Sequence, residues 1–509
     1  MGEALSKRPD RLESPGRTPD LSLLNTPELV LALCAPIGSP VHEVAGQLKE
    51  ALEDDFEYEV QIIKLSDFIR SNASKVSANL PDPIGGDFDS KKSLITAGND
   101  LREKFGCSVL ADLAIHQIAT TRDDTPERKT RPRRQCFIID SIKNKEELNQ
   151  LRKTYADIFF FVGVFSPLEK RVEKLSESMD HANVHRLIDQ DSGEEIDSGQ
   201  TVRDVFPESD YFLRIDSATD AVVESKVRRF LDVIFGTKLV TPTADETAMY
   251  QAASAAGNSA CLSRQVGASI TDDRGELVSV GWNDVPRYGG GVYRNSAESG
   301  GAANDQRCWN LEGGVCFNDK EKDLLAELVV GGLVSDGIIG PESKEKAYKN
   351  VRGSERLGKL LEFSRSIHAE MHAILSAAKS GSSSIVGGSL YATTYPCHSC
   401  ARHIIASGIS KVFYIEPYRK SLAVKIHKDA ITESEHSQEK VRILMYEGVA
   451  PRKYLSLYRV PSGASRKENG KLVKKHPKSA LPVITSTLES IPVLESLTVQ
   501  KLRKLDLVS

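Results

Sequence analysis

No run of about 18 apolar residues, the length a membrane-spanning helix needs, occurs in the 509 residues. No apolar segment of signal-peptide character opens the chain either, so a cytoplasmic location and no membrane partner are the expectation. Cysteine is scarce. Eight in 509 residues cannot staple a disulfide scaffold, and in a reducing compartment a close cysteine pair reads first as metal or redox chemistry. Excess positive charge is absent too: 67 Lys and Arg stand against 71 Asp and Glu, a formal net charge of −4. That balance argues against a dedicated duplex-binding protein, although the basic stretch at 466–478 keeps a nucleic-acid partner open. What is present is ordinary globular matter, 40% hydrophobic and 27% charged, in a chain long enough for two or three units.

Residues 1–26 are polar and carry both charge signs, which reads as a disordered leader. Over 27–238 short apolar runs alternate with helical spacing. LVLALC at 29–34, EYEVQIIKL at 57–65, CFIID at 136–140, IFFFVGVF at 158–165 and YFLRI at 211–215 read as buried strands. The intervening stretches at 145–153, 168–179 and 198–206 read as helices. Alternation of this kind predicts an α/β unit with a mostly parallel sheet. A second unit is expected over 243–460, opened by the capping-box pair Thr243 and Glu246. Its pattern is a hairpin (265–271 and 276–282), a long insertion (284–365), a helix from about 368, a strand (389–395), a helix from Cys397 and a strand (411–418). Residues 461–509 form a C-terminal extension whose first part, 461–480, reads as a solvated loop.

The chemistry concentrates in HAEMH (368–372) and PCHSC (396–400). Cys397 and Cys400 are three apart where a helix is expected to begin, so both thiols share one face, and the positive end of the helix favours their ionised forms. Pro396 is expected at that helix start. With His368 as third ligand they would hold a tetrahedral Zn2+ with one open position, the pattern of a catalytic rather than a structural site. Glu370, two residues from His368, is not expected to be a ligand and would move protons beside the metal. His372 is expected to be a packing or supporting histidine, because HAEMH places its carboxylate differently from the metalloprotease H-E-x-x-H.

H-x-E followed by P-C-x-x-C is the signature of zinc nucleobase deaminases. Together with CLSRQVGASIT (261–271), GWNDVP (281–286), YATTYPCHSCARHII (391–405) and VFYIEPY (412–418), it makes the second unit resemble the deoxycytidylate deaminase branch of the cytidine deaminase superfamily. The resemblance implies an α/β/α domain with a mixed five-stranded sheet, Zn2+ as cofactor, and hydrolytic deamination of deoxycytidine nucleotides. It also implies a homo-oligomer, with a hexamer as one form. By position it assigns substrate-binding roles to Asn283, Arg264, Ala369 and Tyr418, and it raises a second zinc site from Cys261, Cys308 and Cys316.

The first unit resembles the P-loop nucleotide-kinase-like domain fused to bacterial antiphage dCTP/dCMP deaminases. Its phosphate loop is degenerate. In APIGSPVH (35–42) Gly38 and Ser39 are kept, but Pro40, Val41 and His42 stand where the second glycine, the lysine and the hydroxyl residue belong. Phosphoryl transfer is therefore not expected. Binding of a regulatory nucleotide through the backbone at Gly38 and Ser39, or a purely structural loop, both remain open. The functions weighed are depletion of dCTP in antiphage defence, housekeeping dCMP deamination, deamination of a base in single-stranded nucleic acid, and a nucleotide-binding regulatory module with an idle site.

Overall fold

The computed structural model describes residues 26–76, 88–123, 133–192, 199–216, 219–295, 305–358, 360, 362–381, 384–417, 421–460, 465–484, 486–488 and 490–508. The expected leader lies outside these, apart from Thr26.

Two six-stranded sheets organise the described chain. The first holds β1 (Leu29–Cys34), β2 (Glu59–Lys64), β3 (Gln135–Asp140), β4 (Phe159–Phe165) and β5 (Tyr211–Arg214) in the order β5-β4-β1-β3-β2, all parallel. Every residue of β1 and β3 is buried, which is what continuous apolar strands covered on both faces require. Alternate side chains of β1 serve different cores. Leu29, Leu31 and Leu33 pack beneath the helices Val41–Asp54 and Asp220–Phe235. Val30, Ala32 and Cys34 join a core that runs on into the second sheet.

The second sheet contains β6 (Gly267–Thr271), β7 (Leu277–Trp282), β8 (Ser389–Thr394), β9 (Lys411–Glu416), β10 (Ile431–Thr432) and β11 (Val441–Met445), in the order β10-β11-β9-β8-β6-β7. It is mixed: β6 runs antiparallel to β7 and β8, and the remaining pairs are parallel. The expected number was five. The extra strand is β10, whose two residues carry no periodicity to read. The expected hairpin forms, closed by the Asp272 turn.

Two helices pack on this sheet at glycines. A Cβ on Gly267 would stand 1.9 Å from the Ala252 carbonyl oxygen of the helix Ala244–Ala256, and one on Gly281 would stand 2.4 Å from the Ala369 oxygen and the Ala373 nitrogen of the helix Ala369–Ser380. Only glycine permits such close approach. The insertion begins and ends at one place, because Asp284 and Ile367 form a β-bridge. Within it lie the helices Phe317–Ser335 and Lys344–Arg352. The helix expected over 198–206 is confined to Val202–Val205, followed by a turn of 3-10 helix.

After β11 the chain returns to the first sheet. β12 (Gly448–Val449) pairs antiparallel with β5 and completes that sheet's six strands. At this seam Glu246 gathers its own capping box and three partners. Its carboxylate accepts from Arg229 (3.0 and 2.8 Å), the Val449 amide (2.9 Å), the Tyr458 hydroxyl (2.8 Å) and the Thr243 amide (2.8 Å). Residues 467–472 form a small exposed hairpin, β13 (Lys467–Glu468) with β14 (Lys471–Leu472), consistent with the solvated loop expected there. The C-terminal helix Ile491–Lys504 lies against the helix Val109–Asp123 of the first unit. Buried Arg122 links the two, bonding Glu28 at 2.7 Å and Glu495 at 3.0 Å. Among the described residues no helix is long and apolar enough to cross a membrane.

Candidate active site

The chain segments carrying HAEMH and PCHSC meet at one end of the second sheet. His368 is the cap residue of the helix Ala369–Ser380, with extended backbone that turns its ring out of the helix. Cys397 caps the helix His398–Ala406, and its Sγ accepts the Cys400 amide at 3.4 Å. The cysteine therefore sits one place before the helix rather than within it, and Pro396 precedes the cap instead of opening the first turn. Its ring still suits the extended exit from β8.

His368 Nδ1 lies 3.3 Å from Cys397 Sγ and 3.3 Å from Cys400 Sγ. Among the described residues this is the group of three His, Cys, Asp or Glu side chains whose ligand atoms fall within 4.8 Å of one another. The neighbouring Cys400 thiol and the His368 ring hold the Cys397 thiol down to about 4, against its burial. The Cys397 sulfur in turn raises His368 to about 9. A soft, negatively polarised donor set with one nitrogen and two sulfurs fits Zn2+, and three protein ligands would leave the ion a position for water.

Glu370 is buried, and burial pushes its carboxyl above the usual carboxylate range. It lines a cavity of about 540 Å3 together with His368, Ala369 and Cys397. Asn283 reaches the same cavity, but its amide is already used. The oxygen accepts from the Val266 amide at 2.7 Å and the nitrogen donates to the Arg264 carbonyl at 2.8 Å, so the side chain fixes the loop before β6. Arg264 also lines the cavity, half-exposed, with a guanidinium nitrogen 3.2 Å from Glu416. Tyr418 lies outside the described residues. His372 stands apart from the thiols: its Nδ1 is 3.2 Å from the Trp282 amide and 3.0 Å from the Trp282 carbonyl, tying the helix to β7.

The suggested second metal site does not assemble among the described residues. Cys261, Cys308 and Cys316 border one small crevice but do not come within ligand range as a group. Arg307, paired with Asp284 and Asp305, borders the same crevice, and its positive charge disfavours a cation there. At the degenerate phosphate loop Gly38 has φ 87°, and a Cβ there would be 3.0 Å from the Arg171 Cβ. The Ile37 amide beside it already donates to the Asp191 carboxylate at 2.7 Å, and Lys143 completes that pair at 2.9 Å. A carboxylate of the chain thus occupies a donor that a phosphate would use. Ser39 is buried, its amide donating to Pro36 at 3.0 Å.

Three cavity residues have no signature in the sequence. Arg203 and Asp204 come from the first unit, and buried Lys322 comes from the insertion, donating to the Gly358 carbonyl at 3.0 Å. Only tertiary packing brings them to the site.

The profile described as the cytidine and deoxycytidylate deaminase zinc-binding region matches residues 242–416. The chain is 32% identical over 167 residues to the deoxycytidylate deaminase of Enterobacteria phage T4, an alignment covering 32% of this chain and 72% of the phage enzyme. The chain belongs to the cytidine and deoxycytidylate deaminase family. The enzyme of Enterobacteria phage T2 is similar to the same degree, 32% over 167 residues covering 74% of its length. ComE operon protein 2 of Bacillus subtilis strain 168 is 47% identical over 55 residues, covering 11% of this chain and 29% of that protein. As a member of this family the chain is a zinc-dependent deaminase, and its cofactor is Zn2+.

Proposed function

We propose that this deaminase acts on deoxycytidine nucleotides, dCMP or dCTP, releasing ammonia and the uracil nucleotide. The observation that carries the reading is that His368 and Cys397 of the zinc group open with Glu370 onto one cavity, whose walls also bear Arg203, Arg264 and Lys322 beside Asp204, Asp319 and Glu416. Cationic side chains around an apolar and polar pocket suit a base with a phosphate attached. The phage relatives' names give the same substrate class.

His368, Cys397 and Cys400 would hold the Zn2+, which when bound supplies a water acidified from a pKa of about 15.7 toward about 7. Glu370 takes the proton released as water oxygen bonds to C4 of cytosine. It delivers that proton to N3, then passes the remaining proton of the new C4 hydroxyl to the amine, which leaves as ammonia as the C4=O bond forms. The stoichiometry is water in, ammonia out, with the C4–N bond broken and a C4=O bond formed. Ala369 lines the same cavity at the helix start, which supports a role for its backbone in orienting the base.

The first unit supports the likeness to the two-domain antiphage enzymes through its parallel sheet and its glycine turn after β1. On that likeness the cellular purpose is depletion of dCTP, the first unit senses rather than transfers phosphate, and the enzyme works as a homo-oligomer. The test is uracil formation from dCMP, dCTP, CMP, CTP, deoxycytidine and single-stranded DNA, with metal content measured alongside. Glu370→Gln is expected to lower kcat on the deoxynucleotide by about 10²–10⁴-fold while zinc is retained. Turnover confined to DNA, or full activity in the variant, would overturn the reading.

A further inference from the structure

The basic stretch over 466–478 takes no part in the deamination chemistry, yet the fold builds much of it into a surface groove of about 490 Å3. Three segments wall this groove: the end of the helix Asp220–Phe235 with the linker that follows it, the end of the helix Pro451–Tyr458, and the hairpin of β13 and β14 with the residues just after it. It shares no lining residue with the catalytic cavity.

The floor is aliphatic, with Val233 and Leu457 buried. The rim is aliphatic too: Leu239, Leu472 and Val473 are 55, 52 and 44% exposed. Single exposed aliphatic side chains are ordinary on a protein surface, but several gathered along one groove mark a face that another molecule covers.

Five cations line the same groove: Lys238, Arg459, Arg466, Lys474 and Lys475. The one carboxylate of the described lining, Asp232, is already matched by Lys238 at 2.7 Å and by the Thr237 hydroxyl at 2.8 Å. Arg466 uses one nitrogen on the Tyr458 carbonyl at 3.3 Å. Arg459, Lys474 and Lys475 meet no carboxylate among the described residues. Of the neighbouring acids, Glu57 is bound to Lys478 at 2.6 Å, and Glu468 on the hairpin does not line the groove. The surplus charge is positive and calls for an acidic partner.

The aliphatic lining decides which kind. A nucleic-acid strand lies on flat rings that stack its bases. Tyr458 is the one aromatic residue of the described lining. Its hydroxyl donates to Glu246 at 2.8 Å, and its ring stands edge to face with Tyr454 at 5.3 Å. Branched aliphatic side chains beside lysine and arginine instead match a peptide in which leucine-like residues are interleaved with Asp or Glu.

We propose that this groove is an interaction surface for an acidic, aliphatic peptide segment of a partner protein. The proposal stands apart from the deaminase reading, because no residue of the catalytic cavity takes part.

The test uses the full-length zinc-loaded protein and fluorescence anisotropy. The probes are two fluorescein-labelled peptides, one alternating Asp with Leu and one spacing them for a helix. Versions with Asn for Asp and with Ser for Leu, and a labelled oligothymidylate, serve as comparisons. One Asp and Leu peptide is expected to bind saturably and to weaken with added salt, as screened ion contacts require. Affinity should fall at least about tenfold when Asn replaces Asp, when Ser replaces Leu, and in each of the exposed-site variants Leu472→Asp and Lys474→Glu, whose thermal unfolding should match the parent protein. The proposal is overturned if neither peptide binds saturably, if the Asn or Ser version binds as tightly, if either folded variant binds normally, or if oligothymidylate is bound in preference to the peptides.

Discussion

At the scale of the residue, the chemistry depends on a position with no side chain. Gly281 lets the helix bearing Glu370 lie directly on β7, and the atoms a methyl group would strike belong to Ala369 and Ala373. Ala369 sits between His368 and Glu370, so any retreat of the helix moves both. Gly281→Ala is expected to cost about 1–3 kcal/mol in stability through overpacking and to lower kcat by about 10²-fold through misplacement. Thermal unfolding and steady-state kinetics, with zinc content measured, check both effects. The reactive residues themselves were legible in the sequence, because HAEMH and PCHSC fix type, order and spacing within a few positions of one another. Arg203 and Lys322 were not. Each is one charged residue on an ordinary polar stretch, and only the fold brings them to the cavity that His368 and Cys397 line.

At the scale of the element, short caps do much of the positioning. His368 and Cys397 are both cap residues with extended backbone: the Cys397 sulfur folds back to accept the Cys400 amide, whereas the His368 ring makes no cap bond to its own helix. The other decisive cap is Thr243 with Glu246. The spacing predicted this capping box, and it forms. What spacing could not supply is the use of the same carboxylate by Arg229, Val449 and Tyr458, from three distant segments. Burial alone would raise the Glu246 carboxyl, yet Arg229 and the amide donors outweigh it and hold it below 4.5. The stabilisation is therefore complete above that value and is lost as pH falls through the depressed folded-state pKa. Glu246→Gln should flatten the dependence of unfolding free energy on pH below about 4.5 and cost about 3 kcal/mol at neutral pH. Urea titrations across pH 3–7 read both. The C-terminal helix escaped the sequence for a related reason. Its inward stripe is Ile491, Glu495, Thr498 and Leu502, so two of four core positions are polar and the apolar period is broken.

At the scale of the whole molecule, the two sheets share material. One core cluster runs from Val30 and Phe137 on the first sheet through Tyr391 and Phe413 on the second, and Phe212 meets Tyr446 at 5.8 Å across the seam. The alternating strands and helices were enough to foresee an α/β chain, since long apolar runs survive in any context. The joining of the two sheets was not foreseen, because β12 is two residues long. The C-terminal helix adds a buried charge cluster to this frame. Ending the chain after residue 489 would strip Glu495 from Arg122 and uncover Ile491 and Leu502. We expect a loss of at least about 3 kcal/mol, with the unfolding of both sheets shifted together; a melt that moved only one transition would contradict the shared core.

The return of the chain at Gly448–Val449 has a consequence for how this enzyme can be taken apart. The segment that builds the catalytic sheet is nested inside the other unit, like a phrase set between brackets. A cut in the linker near residue 240 does not yield two finished halves. The upstream piece lacks its last strand and a docking helix, and the downstream piece carries both as orphans. Separately expressed fragments should therefore need each other to become soluble, whereas a circular permutant opened in the exposed hairpin at 469–470 keeps every bracket closed.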